Sequence, residues 1–138
     1  RAQMVEQIIT PHLAQGYLLL CDRYADSTMA YQGYGHQNDL DQIRRLIDFA
    51  TGGLKPDLTL LLDVGAEAGL IRKAEGSEWN RLDAYSLEFH QRVRQGYAEL
   101  AQAEPGRWVV IDADQPPDTV QEEIRQIVRS RLPETDKS

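Results

Sequence analysis

The chain has 138 residues and a single cysteine, Cys21. One thiol excludes an internal disulfide and any zinc cluster built on cysteine pairs, and it points to a reducing, cytoplasmic setting. No apolar run approaches the roughly 18 residues of a membrane span, and no leader-peptide pattern is present. Basic residues are also in short supply: 15 Lys and Arg stand against 22 Asp and Glu, for a net charge of −7. That balance excludes the broad basic face of a nucleic-acid binder, although a few local arginines still suffice for a small anionic ligand. The three histidines, His12, His36 and His90, have no metal-ligand spacing with one another or with Cys21, and read as surface or loop residues.

Hydrophobic residues make up 41% of the chain and charged residues 27%, which suits one soluble globular domain. Met4, Val5, Ile8, Ile9 and Leu13 follow helical spacing, with Pro11 interrupting and Gly16 placed as a C-cap. Tyr17 to Cys21 is a continuous apolar run, the pattern of a strand buried on both faces. A short helix around Ser27 to Gln32 and a loop at Gly33 and Gly35 follow. Asp39 caps a helix with Leu40, Ile43, Leu46, Ile47 and Ala50 on one face, stopped by Gly52-Gly53. Leu58 to Val64 is a second buried strand, and Ala66 to Ala74 a short helix. Leu82, Tyr85, Phe89, Val93, Tyr97 and Leu100 mark a long amphipathic helix. Trp108 to Ile111 is a third strand, and Pro116-Pro117 opens a last helix. Apolar strands alternating with helices predict an α/β domain over residues 1–132, its parallel sheet covered by helices on both faces. Residues 133–138 are a polar tail.

The chemistry concentrates after the first apolar run, in LLLCDRYADSTMAYQ. An acid closing a buried strand, as Asp22 does, is placed to reach a magnesium ion or its water shell. Arg23 offers a planar fork for a phosphate. The alternative is an N-cap aspartate beside a surface arginine. Ser27, Thr28, Tyr31 and Gln32 add donors and acceptors at helical spacing, with Thr28 and Tyr31 on one face.

DRYADSTMAYQGYG resembles the D-R-[Y/H]-x-x-S-[T/N]-x-A-Y-[Q/S] signature of thymidylate kinases. The resemblance continues in order through RAQMVEQIITPHLAQG before the signature and KPDLTLLLDV, EFHQRVRQGYAELA and WVVIDADQPPDTVQEEI after it. It implies transfer of the γ-phosphoryl group of ATP to thymidine monophosphate, with Mg²⁺ as cofactor, and a homodimer in the full-length form. By the same resemblance Arg23 binds the acceptor phosphate and Asp22 lies near the magnesium and the transferred group. Thr28 meets the pyrimidine edge, Tyr31 packs on the deoxyribose, and Arg1 reaches a base carbonyl. Ser27 and Gln32 complete the acceptor pocket. Arg72 to Arg81 resembles the mobile lid, so Arg72 and Arg81 are its expected catalytic bases. The lid departs from the pattern at Ala74, Glu75, Gly76 and Asn80, as do His36, where an arginine is expected, and Gln37, where a glycine is.

Phosphoryl transfer of this kind uses a Gly-rich loop that cradles the donor phosphates. No G-x-x-x-x-G-K-[ST] occurs in these 138 residues. The resemblance implies a P-loop-kinase-like sheet of five parallel strands in the order 2-3-1-4-5, of which strands 3, 4 and 5 are expected here as a partial sheet. The expectation is therefore a fragment, inactive by itself, with exposed edges prone to association. Two alternatives stay open: a degenerate relic that binds nucleotide or a partner, and a kinase for another nucleoside monophosphate.

Overall fold

The computed structural model describes residues 1–76 and 85–132. Pro11 shapes its first helix, α1, which runs through Ala2–Met4, Val5–Ile9 and Thr10–Ala14. Proline has no N–H to donate one turn back. The turn before it widens, and the Thr10 N–H donates to the Val5 carbonyl five residues away. The expected interruption is thus a π-turn within a continuous helix.

Helix α2 comprises Ala25–Thr28 and a π-helical continuation, Met29–Gly35. Here the expected loop at Gly33 and Gly35 is corrected, because the helix runs on through both. The glycines are required by close packing rather than by a turn. A Cβ at Gly35 would stand 2.7 Å from the Phe89 ring and 2.8 Å from Val93. Arg92 closes the helix with Nε and Nη2 on the Gly35 carbonyl, at 3.0 and 2.8 Å. Just beyond, Gln37 has φ +58°, a left-handed backbone that costs a non-glycine residue about 1 kcal/mol. The glycine expected there has a physical reason.

Helix α3 is Leu40–Thr51. Asp39 caps it by accepting from the Asp41 and Gln42 N–H groups, and Gly52, φ +62°, ends it. Strand β1 is Thr59–Asp63, α4 Ala66–Glu75, α5 Leu87–Ala103, β2 Trp108–Asp112 and α6 Pro117–Arg131. Ser86 caps α5 by accepting from the Phe89 N–H. The expected lid base Arg81 and the tail from residue 133 lie outside the described residues, as does Leu82.

Among the described residues the sheet has two strands, β1 and β2, parallel and in register from Thr59 beside Trp108 to Asp63 beside Asp112. The expected strand at Tyr17–Cys21 does not form. A strand needs a ladder partner for its N–H and C=O groups, and no described segment supplies one. Its side chains stay outside: Leu20 is 92% exposed, and Tyr17 and Leu18 are also exposed. Burial on both faces is likewise not reached in the sheet, since Leu62 and Val110 are exposed while Trp108 and Ile111 are buried. In α3, Leu46 turns outward with Phe49, leaving Ile47 packed on the core.

Two clusters hold the helices. Val5, Tyr24 and Ala25 join α1 to the start of α2, with Ile47 and Leu54 against them. Ala30, Phe89 and Val93 join α2 to α5, with Tyr31, Tyr85 and Tyr97 around them. Together they fix α2, the helix that carries Ser27, Thr28 and Tyr31.

Candidate active site

Asp22 and Arg23 sit on the bend between the unpaired run and α2, both exposed. Arg23 has φ +59°, a left-handed conformation unusual for a non-glycine residue, and such outliers concentrate where geometry serves function. Its guanidinium lies 5.4 Å from the centre of the Tyr31 ring, within cation–π range. Among the described residues no carboxylate pairs with it. Tyr24, one residue on, is buried and donates to the Leu54 carbonyl at 3.1 Å, which pins the bend. Burial raises its phenol above the ordinary range.

Arg1 and Thr28, 27 residues apart, meet directly: Arg1 Nη1 donates to Thr28 Oγ1. The same guanidinium stands 5.9 Å from the Tyr24 ring. Ser27 shares a 2.8 Å hydrogen bond with the Tyr97 hydroxyl of α5, and burial raises the Tyr97 phenol. The structure therefore brings Arg1, Arg23, Ser27, Thr28 and Tyr31 to one end of α2. Gln32 is on the exposed side of that helix, where its backbone carbonyl accepts from Asn38 Nδ2.

A cleft of about 1390 Å³ opens beside them, with Asp22, Arg23, Ser27 and Tyr31 in its lining. Leu18 to Leu20 and Leu60 to Leu62 also border it, so it separates the unpaired run from β1. From α5 come His90, Arg94 and Tyr97. The reading of His90 as a surface or loop residue is corrected here. It lies within α5, and its Nε2 is buried without a hydrogen-bond partner among the described residues. Arg94 is held by a bidentate pair with Asp63, both contacts 2.8 Å. The hydrogen bonds from Arg94 hold the Asp63 carboxyl below its ordinary range. Positions 90, 94 and 97 form one stripe of a helix. For His90 and Arg94 that spacing was the available signal, masked by the apolar stripe beside it, to which Tyr97 itself belongs.

Arg72 is not brought to the cleft. It donates to the Ala113 carbonyl and to Asp114 Oδ1, both at 2.9 Å, tying α4 to the loop after β2. Among the described residues no three His, Cys, Asp or Glu side chains converge as a metal site. Asp22 is an exposed carboxylate in the cleft lining, a hard oxygen donor of the kind that suits magnesium.

The sequence profile described as Thymidylate kinase matches residues 1–124. The chain belongs to the thymidylate kinase family. It is 51% identical to a thymidylate kinase of Roseiflexus sp. strain RS-1, across 96% of this chain and 64% of that protein. It is 48% identical to one from Desulfovibrio desulfuricans, with the same coverage of both chains. A thymidylate kinase of Deinococcus radiodurans is 47% identical over 95% of this chain and 64% of its own. The chain thus spans just under two-thirds of the length of these curated thymidylate kinases. Among the described residues no helix is long and apolar enough to cross a membrane.

Proposed function

We propose that this chain forms the acceptor side of a cytoplasmic, homodimeric thymidylate kinase that phosphorylates thymidine monophosphate from ATP. The observation that carries the reading is the meeting of Arg1 with Thr28 beside the Arg23–Tyr31 stack. A fork-shaped cation, a hydroxyl and an aromatic face are the three surfaces that a phosphate, a base edge and a sugar require. Arg23 holds the acceptor phosphate, Thr28 with Arg1 the pyrimidine edge, and Tyr31 the deoxyribose. Ser27 and Gln32 complete the pocket. Asp22 faces the metal-bearing phosphates. Magnesium, when bound, neutralises charge on the transferring group, while Arg72 and Arg81 add lid charge to the same oxygens. Arg72 leaves Asp114 to do so.

The donor phosphates are held by a Gly-rich loop that these 138 residues do not contain, so the chain alone binds acceptor without turnover. The full five-stranded sheet belongs to this reading as well. The cleft between Leu18–Leu20 and Leu60–Leu62 supports it, because an apolar gap bordered by an unpaired run and an open strand edge accommodates another strand. Calorimetric titration with thymidine, cytidine and guanosine monophosphates tests the assignment. Thymidine monophosphate should bind most tightly, and Arg23→Ala should weaken it by about tenfold or more. Equal affinity for all three nucleotides overturns the substrate, and thymidine diphosphate formed from ATP by the chain alone overturns the need for a separate donor loop.

A further inference from the structure

Arg107, at the foot of β2, commits every guanidinium nitrogen. Nη1 and Nη2 donate to the two carboxylate oxygens of Asp26 at 2.8 and 3.0 Å. Nη1 also reaches Thr59 Oγ1 at 2.9 Å, and Nε reaches Glu104 Oε2 at 2.7 Å. The guanidinium lies 5.1 Å from the Trp108 ring, and the side chain is only 12% exposed. The other Glu104 oxygen takes Lys55 Nζ at 2.7 Å. Asp26, 19% exposed, sits in the first turn of α2.

Three consecutive residues of α2 are therefore each tied to a different part of the molecule. Asp26 is tied to β2, Ser27 to α5 through Tyr97, and Thr28 to Arg1. Ser27 and Tyr97 line the cleft, and Thr28 and Arg1 belong to the proposed acceptor pocket. In the Asp26–Arg107 tie, Asp26 borders the cleft, while Arg107 is not part of its lining. A bidentate fork fixes rotation as well as distance, which a point charge does not. We propose that Arg107 and Asp26 are positioning residues for the acceptor nucleotide: the fork sets the rotation of α2, and so the angle at which Thr28 and Tyr31 meet base and sugar. The inference rests on the acceptor-site reading above. A buried ion pair by itself says little about stability, so the distinguishing property is the effect on one substrate.

Steady-state kinetics on the catalytically complete protein test it, with Arg107→Lys keeping the charge and losing the fork. The KM for thymidine monophosphate should rise about tenfold, with the KM for ATP within about twofold of the parent and kcat changed less than the acceptor KM. Asp26→Asn, which keeps the shape and one acceptor oxygen, should shift the same parameter in the same direction and serves if the lysine variant does not fold. Parallel movement of both KM values with the thermal midpoint overturns the proposal, because the pair would then only hold the fold. An unchanged acceptor KM in both variants overturns it as well, with the function left standing. A parent protein that neither binds nor phosphorylates thymidine monophosphate fails earlier, and that result removes the function together with the inference.

Discussion

Residues 17–21 and 25–35 are neighbours in sequence and opposites in packing. The first segment, YLLLC, is wholly apolar or aromatic, yet Leu18 and Leu20 face outward. The second, ADSTMAYQGYG, is half polar or glycine, yet buries Ala25, Met29 and Ala30. The second segment has its partner within the chain, in Phe89 and Val93 of α5. The first has no strand partner among the described residues, and its Tyr17 ring meets the edge-on His12 ring at 5.5 Å. Apolar character states what a segment requires, and burial reports whether a neighbour answers it.

The largest break in this contrast should come from the side that is packed. Phe89 is 3% exposed and central to the α2–α5 cluster. Phe89→Ala is expected to cost about 3–5 kcal/mol in denaturant unfolding. A cost near zero would mean that the two segments differ less than their burial implies.

Acid should act next, on the seams between sheet and helices. Hydrogen bonds from Arg94 hold the Asp63 carboxyl below its ordinary range, and those from Arg107 and Lys55 do the same for Glu104. Because both folded-state values are lowered, the unfolded chain takes up protons first as pH falls. The stabilisation is present above the ordinary carboxylate range near about 4, and is lost as pH falls through the folded-state values. Unfolding midpoints followed from about pH 6 to about pH 3 should decline, and Arg94→Gln should make that decline shallower. A flat profile would show that these pairs do not join the regions energetically.

The smallest effect belongs to the unpaired run. Leu20→Ser should change stability by no more than about 0.5 kcal/mol while lowering the tendency to associate, read by denaturation and sedimentation together. A large loss would show that Leu20 is covered in solution and would erase the contrast.

Local signals were legible where both their cause and their partner lay close by. The Asp39 cap, the Gly52 stop and the Pro117 start stand as the sequence predicts, because each acts within a few residues. The register of β1 and β2 could not be read, since it depends on residues about a third of the chain apart. The strand expected at Tyr17–Cys21 failed for the same reason: apolarity was visible, the absence of a described partner was not. At the site, Arg23, Thr28 and Tyr31 stand in one motif and Arg1 enters by the family resemblance; the structure brings Arg1 onto Thr28 and Arg23 onto Tyr31. Arg94 was not singled out, His90 reads in sequence as a surface or loop residue, and Tyr97 counts toward the apolar stripe of α5, so none of the three pointed to the cleft. Arg72 was recognised as a base, but its tie to Asp114 is a tertiary contact that no spacing announces.

The Asp26–Arg107 fork also sets a schedule. Its two ends are 81 residues apart, and a ribosome adding about 5–20 residues per second needs roughly 4–16 s to make that span. Tyr97, the partner of Ser27, is added 70 residues after it. Helix α2 is thus synthesised well before the residues that tie it to β2 and α5. During that interval its polar face has no fixed rotation, and a chain interrupted anywhere before Arg107 would carry the whole acceptor motif without the fork that aims it.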